Sequence, residues 1–221
     1  MESKSYVDLT LKVMKDFGIE IENHNYQEFI IKGNQKYLGR NYKVESDYSQ
    51  GAFFLCGDAL GNEIHCGGLD INSLQGDKEV LDILKKMNGE VIIDKKHNMQ
   101  IKRRKKLKGT YIDGSQCPDI IPVVTLVAAL SKGRSEIVGR LRIKECDRLS
   151  AITKELNKLG AKVTEKEDSI IVDGVGELAG GVEVWSHKDH RIAMTLAIAS
   201  SCCKDPIIIK DFECVSKSYP K

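Results

Sequence analysis

Residues 147–174 read DRLSAITKELNKLGAKVTEKEDSIIVDG, and two other stretches share their plan. Residues 6–33 read YVDLTLKVMKDFGIEIENHNYQEFIIKG, and residues 77–103 read DKEVLDILKKMNGEVIIDKKHNMQIKR. Each opens as an amphipathic helix, passes a glycine and continues as two short strand-like runs. The glycines are Gly18, Gly89 and Gly160, spaced 71 and 71 residues apart. Each suits the position just past a helix end, where a left-handed backbone costs glycine least. In the last copy Leu149, Ile152, Leu156 and Leu159 make one apolar stripe, with Lys154, Glu155 and Lys158 expected on the opposite, solvent-facing side.

A second element alternates with the first. Gly51–Leu60 (GAFFLCGDAL), Pro122–Leu130 (PVVTLVAAL) and Ile192–Cys203 (IAMTLAIASSCC) are apolar on nearly every side, as buried helices are. A short strand is expected after each, at Glu63–Cys66, Glu136–Val138 and Pro206–Ile209. The unit therefore reads helix, strand, helix, strand, strand. One unit alone leaves apolar surface exposed, so several must share a core. In this register the chain opens in the second half of one unit and runs through whole units at about 47–117 and 118–189. It stops at Lys221, where the next amphipathic helix is due. The expectation is a piece of a longer protein.

Composition narrows the function classes. The chain has 221 residues, with 34 Lys+Arg against 32 Asp+Glu, so its net charge of +2 gives no bulk field for nucleic acid. The run Lys102–Lys108 is basic but has no interleaved aromatics, and a solvated loop is the better reading. No apolar run reaches the ~18 residues of a membrane span, and MESKSYVDLT lacks the apolar core of a signal peptide. Seven cysteines, an odd number without any CxxC, fit a reducing cytoplasmic setting better than a disulfide framework or a zinc ribbon.

Polar residues break the repeat at corresponding places. Cys117-Pro118-Asp119 stands at the start of a buried helix, with Pro118 read into the first turn. Asp119 there is a plain cap or a group at a site. Arg142-Ile143-Lys144-Glu145-Cys146-Asp147-Arg148 joins a strand to an amphipathic helix. It is either a salt-bridged helix start capped by Asp147, or two cations, Lys144 and Arg148, beside a proton-transfer carboxylate. Lys188-Asp189-His190-Arg191 precedes an apolar helix, where Asp189 caps and Arg191 suits an anion. Lys217, in Val215–Pro220, falls at the repeat position of Lys144. Three or four cations and two carboxylates on one rim suit a polyanionic, phosphate-bearing small molecule. These residues leave the reaction open.

PDIIPVVTLVAAL (118–130), LRIKECDRL (141–149), DHRIAM (189–194) and KSYP (217–220), in this order and spacing, closely resemble the EPSP synthase (3-phosphoshikimate 1-carboxyvinyltransferase) family. Ser3–Asp8, Glu45–Ser49 and Leu74–Asp77 are similar to further family blocks, so the resemblance runs along the whole chain. It implies an inside-out α/β barrel, or prism, of βαβαββ repeats with buried helices, in a two-domain protein about twice this length. Residues 1–45 would end the upper, N-terminal domain. Residues 46–221 would form most of the lower, C-terminal domain without its final helix.

The implied reaction transfers the enolpyruvyl group of phosphoenolpyruvate to the 5-hydroxyl of shikimate 3-phosphate, releasing phosphate, in the pathway to aromatic amino acids. It needs neither metal nor organic cofactor. By motif, Asp119 resembles the base near the 5-hydroxyl, and Glu145 the group that protonates and then deprotonates the methylene carbon. Lys144 resembles a lysine that binds shikimate 3-phosphate and is placed for proton transfer. Arg148, Arg191 and Lys217 resemble the clamp on phosphoenolpyruvate. Ser3 and Tyr6, with Asp119 and Lys144, would bind shikimate 3-phosphate, and His190 would support the clamp. Arg140 departs from an asparagine usual in the family, and Tyr48 and Gln50 stand where smaller residues are usual. The implied partners are the two substrates and the other half of the same protein, with no nucleic acid and no membrane. Two other readings share these residues: a UDP-N-acetylglucosamine enolpyruvyl transferase relative, and a catalytically silent anion-binding module whose cleft is incomplete.

Overall fold

The computed structural model describes residues 4–103, 105–139 and 145–220. Its helices are α1 (Lys4–Asp16), α2 (Tyr48–Leu60), α3 (Glu79–Lys86), α4 (Ile121–Ala129), α5 (Arg148–Lys158) and α6 (His190–Ser200). The even-numbered helices are the apolar ones. Every residue of α4 is buried, and α2, α4 and α6 all pack on one another as a central triangle. Such a helix has no polar face to offer water, so it takes the middle.

The strands lie outside this triangle. They are β1 (Ile21–His24), β2 (Glu28–Ile31), β3 (Gly89–Ile93), β4 (Met99–Arg103), β5 (Tyr111–Asp113), β6 (Arg134–Val138), β7 (Lys162–Glu165), β8 (Ser169–Asp173), β9 (Leu178–Gly180), β10 (Glu183–Trp185), β11 (Cys203–Asp205) and β12 (Ile208–Lys210). One full unit runs β5–α4–β6–α5–β7–β8 and builds a four-stranded sheet of order β5-β6-β8-β7. β5 and β6 are parallel across α4, and the other two pairings are antiparallel. Ile137 on β6 faces Ile170 on β8, and Val163 on β7 faces Val172, all buried on the helix side. The next unit repeats the crossover, with β10 parallel to β12 across α6. This is the inside-out α/β arrangement that the sequence implies.

Polar side chains fix the layers. Asp58 in α2 accepts the backbone N–H groups of Ile64 and Ile101 at 2.9 and 2.5 Å, tying the buried helix to β4. Asn157 accepts the Val163 N–H and donates to its carbonyl, both at 2.8 Å, so α5 docks on the start of β7.

Several local expectations change. Gly18 and Gly160 do end their helices left-handed, at φ 85° and 97°, but in the middle copy Asn88 takes that role at φ 75°. Gly89 instead opens β3, where a Cβ would lie 2.8 Å from the Leu84 carbonyl oxygen. Glu63–Cys66 is no strand; it makes one bridge, between Cys66 and Met99. The last apolar helix stops at Ser200, and Cys203 begins β11. The strand expected at Pro206–Ile209 is β12, at Ile208–Lys210. Pro118 and Asp119 sit in a turn ahead of α4, and Pro122 is the proline of its first turn. Glu155, expected on the solvent side of α5, is fully buried.

The first unit is covered least. α1 buries no residue and β2 is exposed along its length, leaving Phe29, Ile30 and Ile31 uncovered. It still leans on the rest, because the Cβ position of Gly76 lies 2.7 Å from Ser5 Oγ and 2.6 Å from the Gln116 carbonyl. Among the described residues no helix is long and apolar enough to cross a membrane, and no cluster of His, Cys, Asp and Glu suits a metal ion.

Candidate active site

The repeat brings three helix starts together. Asp147 caps α5 by accepting the Ser150 N–H at 3.1 Å, so Arg148 is the first residue of that helix. Asp189 caps α6 by accepting the Arg191 N–H at 2.8 Å. Asp119 sits in the turn just before α4. These residues are far apart in sequence but meet at one end of the buried triangle.

Arg148 is only 2% exposed and meets three carboxylates. Its Nε donates to Asp189 at 2.6 Å, Nη1 to Asp119 at 2.7 Å and Nη2 to Glu145 at 2.5 Å. Arg191 donates to the Ser49 carbonyl at 2.7 Å, to Ser49 Oγ at 3.0 Å and to the other Asp119 oxygen at 3.4 Å. Lys217, on a 3-10 helix over Phe212–Lys217, reaches the second Glu145 oxygen at 3.0 Å. Cation and anion alternate from Lys217 through Glu145, Arg148 and Asp119 to Arg191, with Asp189 beneath. Buried guanidinium groups survive only with such partners.

The electrostatics follow from this chain. Burial alone would raise the Glu145 pKa, but the Lys217 hydrogen bond and the Arg148 and Lys217 charges outweigh it and hold it at about 2. Burial would lower Arg148, yet Asp189 and Asp119 raise it, so it stays charged. Burial and Arg191 push His190 down, so the imidazole is neutral. Burial and Asp189 lift the Cys146 thiol to about 12, and its Sγ lies 3.6 Å from that carboxylate. The Tyr6 phenol is pushed up to about 12, by burial first and then by the charges of Asp77 and Asp119. Tyr6 itself lies on α1 and is about half exposed.

Of the residues picked out in the sequence, Asp119, Glu145, Arg148, Arg191 and Lys217 converge directly. Tyr6 feels the charges of Asp119 and Arg191 from α1, and His190 lies behind with Nδ1 3.9 Å from Asp189. Ser3, Arg140 and Lys144 lie outside the described residues. Two contributors were missed. Asp189 reads as a mere cap, yet it is fully buried and also holds Arg148. Ser49 fixes Arg191; only its place in the Glu45–Ser49 block could have pointed to it. Tyr48 keeps a structural role, donating to the Asp70 carbonyl at 3.0 Å.

The EPSP synthase (3-phosphoshikimate 1-carboxyvinyltransferase) family model matches residues 1–221. The curated 3-phosphoshikimate 1-carboxyvinyltransferase of Clostridium beijerinckii is 65% identical over all of this chain, which covers 51% of that relative. The same-named protein of Clostridioides difficile is 63% identical, again over the whole chain and 50% of the relative. A solved structure of EPSP synthase from Acinetobacter baumannii superposes with a TM-score of 0.84 at 30% identity, over 95% of this chain and 51% of that one. The chain thus spans about half the length of the curated relatives it matches. With the residue motifs, the repeat and the superposition in agreement, this chain belongs to the EPSP synthase family.

Proposed function

We propose that the protein containing this chain transfers the enolpyruvyl group of phosphoenolpyruvate to the 5-hydroxyl of shikimate 3-phosphate. In this reading the chain is the C-terminal half, with residues 1–45 ending one domain and 46–221 forming most of the other. The convergence of Arg148, Arg191 and Lys217 around Asp119 and Glu145 carries the reading. Three cations suit a ligand with both a phosphate and a carboxylate, and forked guanidinium groups suit those oxygens. Two carboxylates suit a reaction in which one proton leaves an oxygen and another joins a carbon.

Asp119 takes the 5-hydroxyl proton as that oxygen bonds to C2 of phosphoenolpyruvate, while C3 gains a proton from Glu145. In the second step Glu145 takes a proton back from C3, the C2–O bond to phosphate breaks, and the proton held by Asp119 leaves with the departing phosphate, which regenerates both carboxylates. Glu145 at about 2 is ionised at neutral pH and has no proton to give. The anionic groups of phosphoenolpyruvate compete with Glu145 for Lys217 and for one Arg148 nitrogen, which weakens the forces holding Glu145 down, and their own negative charge raises its pKa further toward a protonated acid. Each step uses groups of this chain on the substrates alone.

The N-terminal half of the same protein is the proposed partner. It would cover the apolar face of α1 and β2 and close the site over Tyr6, in a cytoplasmic enzyme. The test is phosphate release from both substrates, measured with this chain alone, with the other half added, and with Asp119→Ala in the assembled protein. Turnover on assembly and its loss in Asp119→Ala are expected. Silence of a well-formed assembly would favour a binding module, and binding of a UDP-sugar would favour the related transferase.

A further inference from the structure

Glu155 is a carboxylate with no exposed surface, two helical turns beyond Arg148 on the same buried stripe of α5. It accepts the Trp185 backbone N–H at 3.0 Å, His187 Nε2 at 3.0 Å and Lys158 Nζ at 2.7 Å. Burial would raise its pKa, but these donors lower it, so the group is a fixed anion. It grips the turn that leads into α6. That turn is costly by itself, since His187 and Lys188 are consecutive non-glycine residues at φ 53° and 56°. Strain of this kind persists only where the surroundings hold it.

The same turn reaches a third element. Trp185 Nε1 donates to Asp211 Oδ2 at 2.8 Å, and Ser186 Oγ to the Asp211 carbonyl at 3.0 Å. Asp211 is the residue just before the 3-10 helix that carries Lys217. Three residues further along the turn, Asp189 meets Arg148 and caps the helix of Arg191. α5 therefore holds the segment 185–189 at two points, Glu155 at one end and Arg148 at the other. The Lys217 helix hangs from the middle of it.

We propose that Glu155 is a positioning residue: by holding the Trp185–Lys188 turn it sets the spacing of Arg148, Arg191 and Lys217. The inference rests on reading those three cations as the phosphoenolpyruvate clamp. It acts mainly on the clamp: Tyr6 and Asp119 stand on other elements, and Asp119 meets the clamp only through its side-chain bonds to Arg148 and Arg191.

The test uses the full-length protein that contains this chain. Glu155→Gln keeps the side-chain shape and an acceptor for Trp185 but removes the charge shared by His187 and Lys158. The KM for phosphoenolpyruvate is expected to rise at least five-fold, with that for shikimate 3-phosphate within two-fold. A phosphoenolpyruvate KM within two-fold of the parent overturns the assignment, whatever happens to the melting temperature. An equal rise in both KM values overturns it too, because that marks general loosening. Should Glu155→Gln not fold, His187→Phe carries the same thresholds, since it keeps the ring on Trp185 and deletes the bond to Glu155. Arg191→Lys is run beside them. If it leaves the phosphoenolpyruvate KM unchanged, the clamp reading itself fails. If it raises that KM while Glu155→Gln does not, only the positioning role falls.

Discussion

Replacing Asp189 separates its two roles. The carboxylate is fully buried, accepts Arg148 Nε at 2.6 Å and caps α6 through the Arg191 N–H at 2.8 Å. Asparagine caps a helix about as well as aspartate, so Asp189→Asn keeps that function and removes only the charge. Its amide also turns a donor toward a guanidinium that has none to accept with. Removing one partner of a buried ion pair costs about 3–5 kcal/mol. Arg148 keeps Asp119 and Glu145, which places the cost near the lower end, about 3 kcal/mol. Asp189→Ala loses the cap as well, adding about 1 kcal/mol. At roughly 2–4 °C per kcal/mol for a chain of this size, Asp189→Asn lowers Tm by about 6–12 °C. Urea denaturation followed by the fluorescence of Trp185, the single tryptophan, measures both variants, provided the slope with urea is unchanged. A loss under about 1 kcal/mol in Asp189→Asn, with a larger one in Asp189→Ala, would show that Asp189 is only a cap and refute the argument.

Other outcomes follow from the same geometry. Glu145 is depressed to about 2, so its stabilising effect is complete above the usual carboxylate range and is lost as pH falls toward 2. Lys217→Met is expected to weaken that acid sensitivity; denaturation curves across the range that superpose on the parent's would contradict it. Gly160→Ala is expected to cost about 1–2 kcal/mol from backbone strain alone, because at φ 97° the nearest atom to its Cβ is 3.6 Å away. Gly174→Ala is expected to cost more, since its Cβ would sit 1.9 Å from the Ser131 carbonyl oxygen; equal costs in urea would undo the distinction. Tyr6→Phe removes one hydrogen-bonding group, worth about 0.5–1.5 kcal/mol, so in the full-length enzyme the shikimate 3-phosphate KM should rise about 2–10-fold. An unchanged value would take Tyr6 out of the site.

The periodic parts of the fold were readable because they depend on neighbours in sequence. Leu149, Ile152 and Leu156 announce a buried stripe at helical spacing, and α4 announces a core helix by having no polar side at all. The convergence of Asp119, Glu145, Arg148, Arg191 and Lys217 was readable through motifs that carry a chemical demand, such as paired charges at a helix start. What escaped depends on partners far along the chain. Glu155, set between Lys154 and the nearby Lys158, looks like part of a solvated face. Its donors at Trp185 and His187 lie 30 and 32 residues downstream. Asn88 displaced Gly89 from the helix end because β3 needs a residue without a Cβ against Leu84 and Ile101. Glu63–Cys66 has the composition of a strand, but only Cys66 finds a partner, on β4.

The alternating row of charges at the helix starts also discriminates among solutes. Arg148 and Lys217 are already occupied by internal counter-ions, so a lone chloride must compete with a tethered carboxylate for each one. Glu145 engages both cations at once, through separate oxygens. A solute with a single charge can replace only one of those contacts, leaving the carboxylate anchored by the other. A molecule bearing two anionic groups a few ångströms apart can replace both together, and the displaced carboxylate is then released as one event. On the proposed reading of this site, the row is thus expected to work as a two-key lock that favours doubly anionic solutes over single ions.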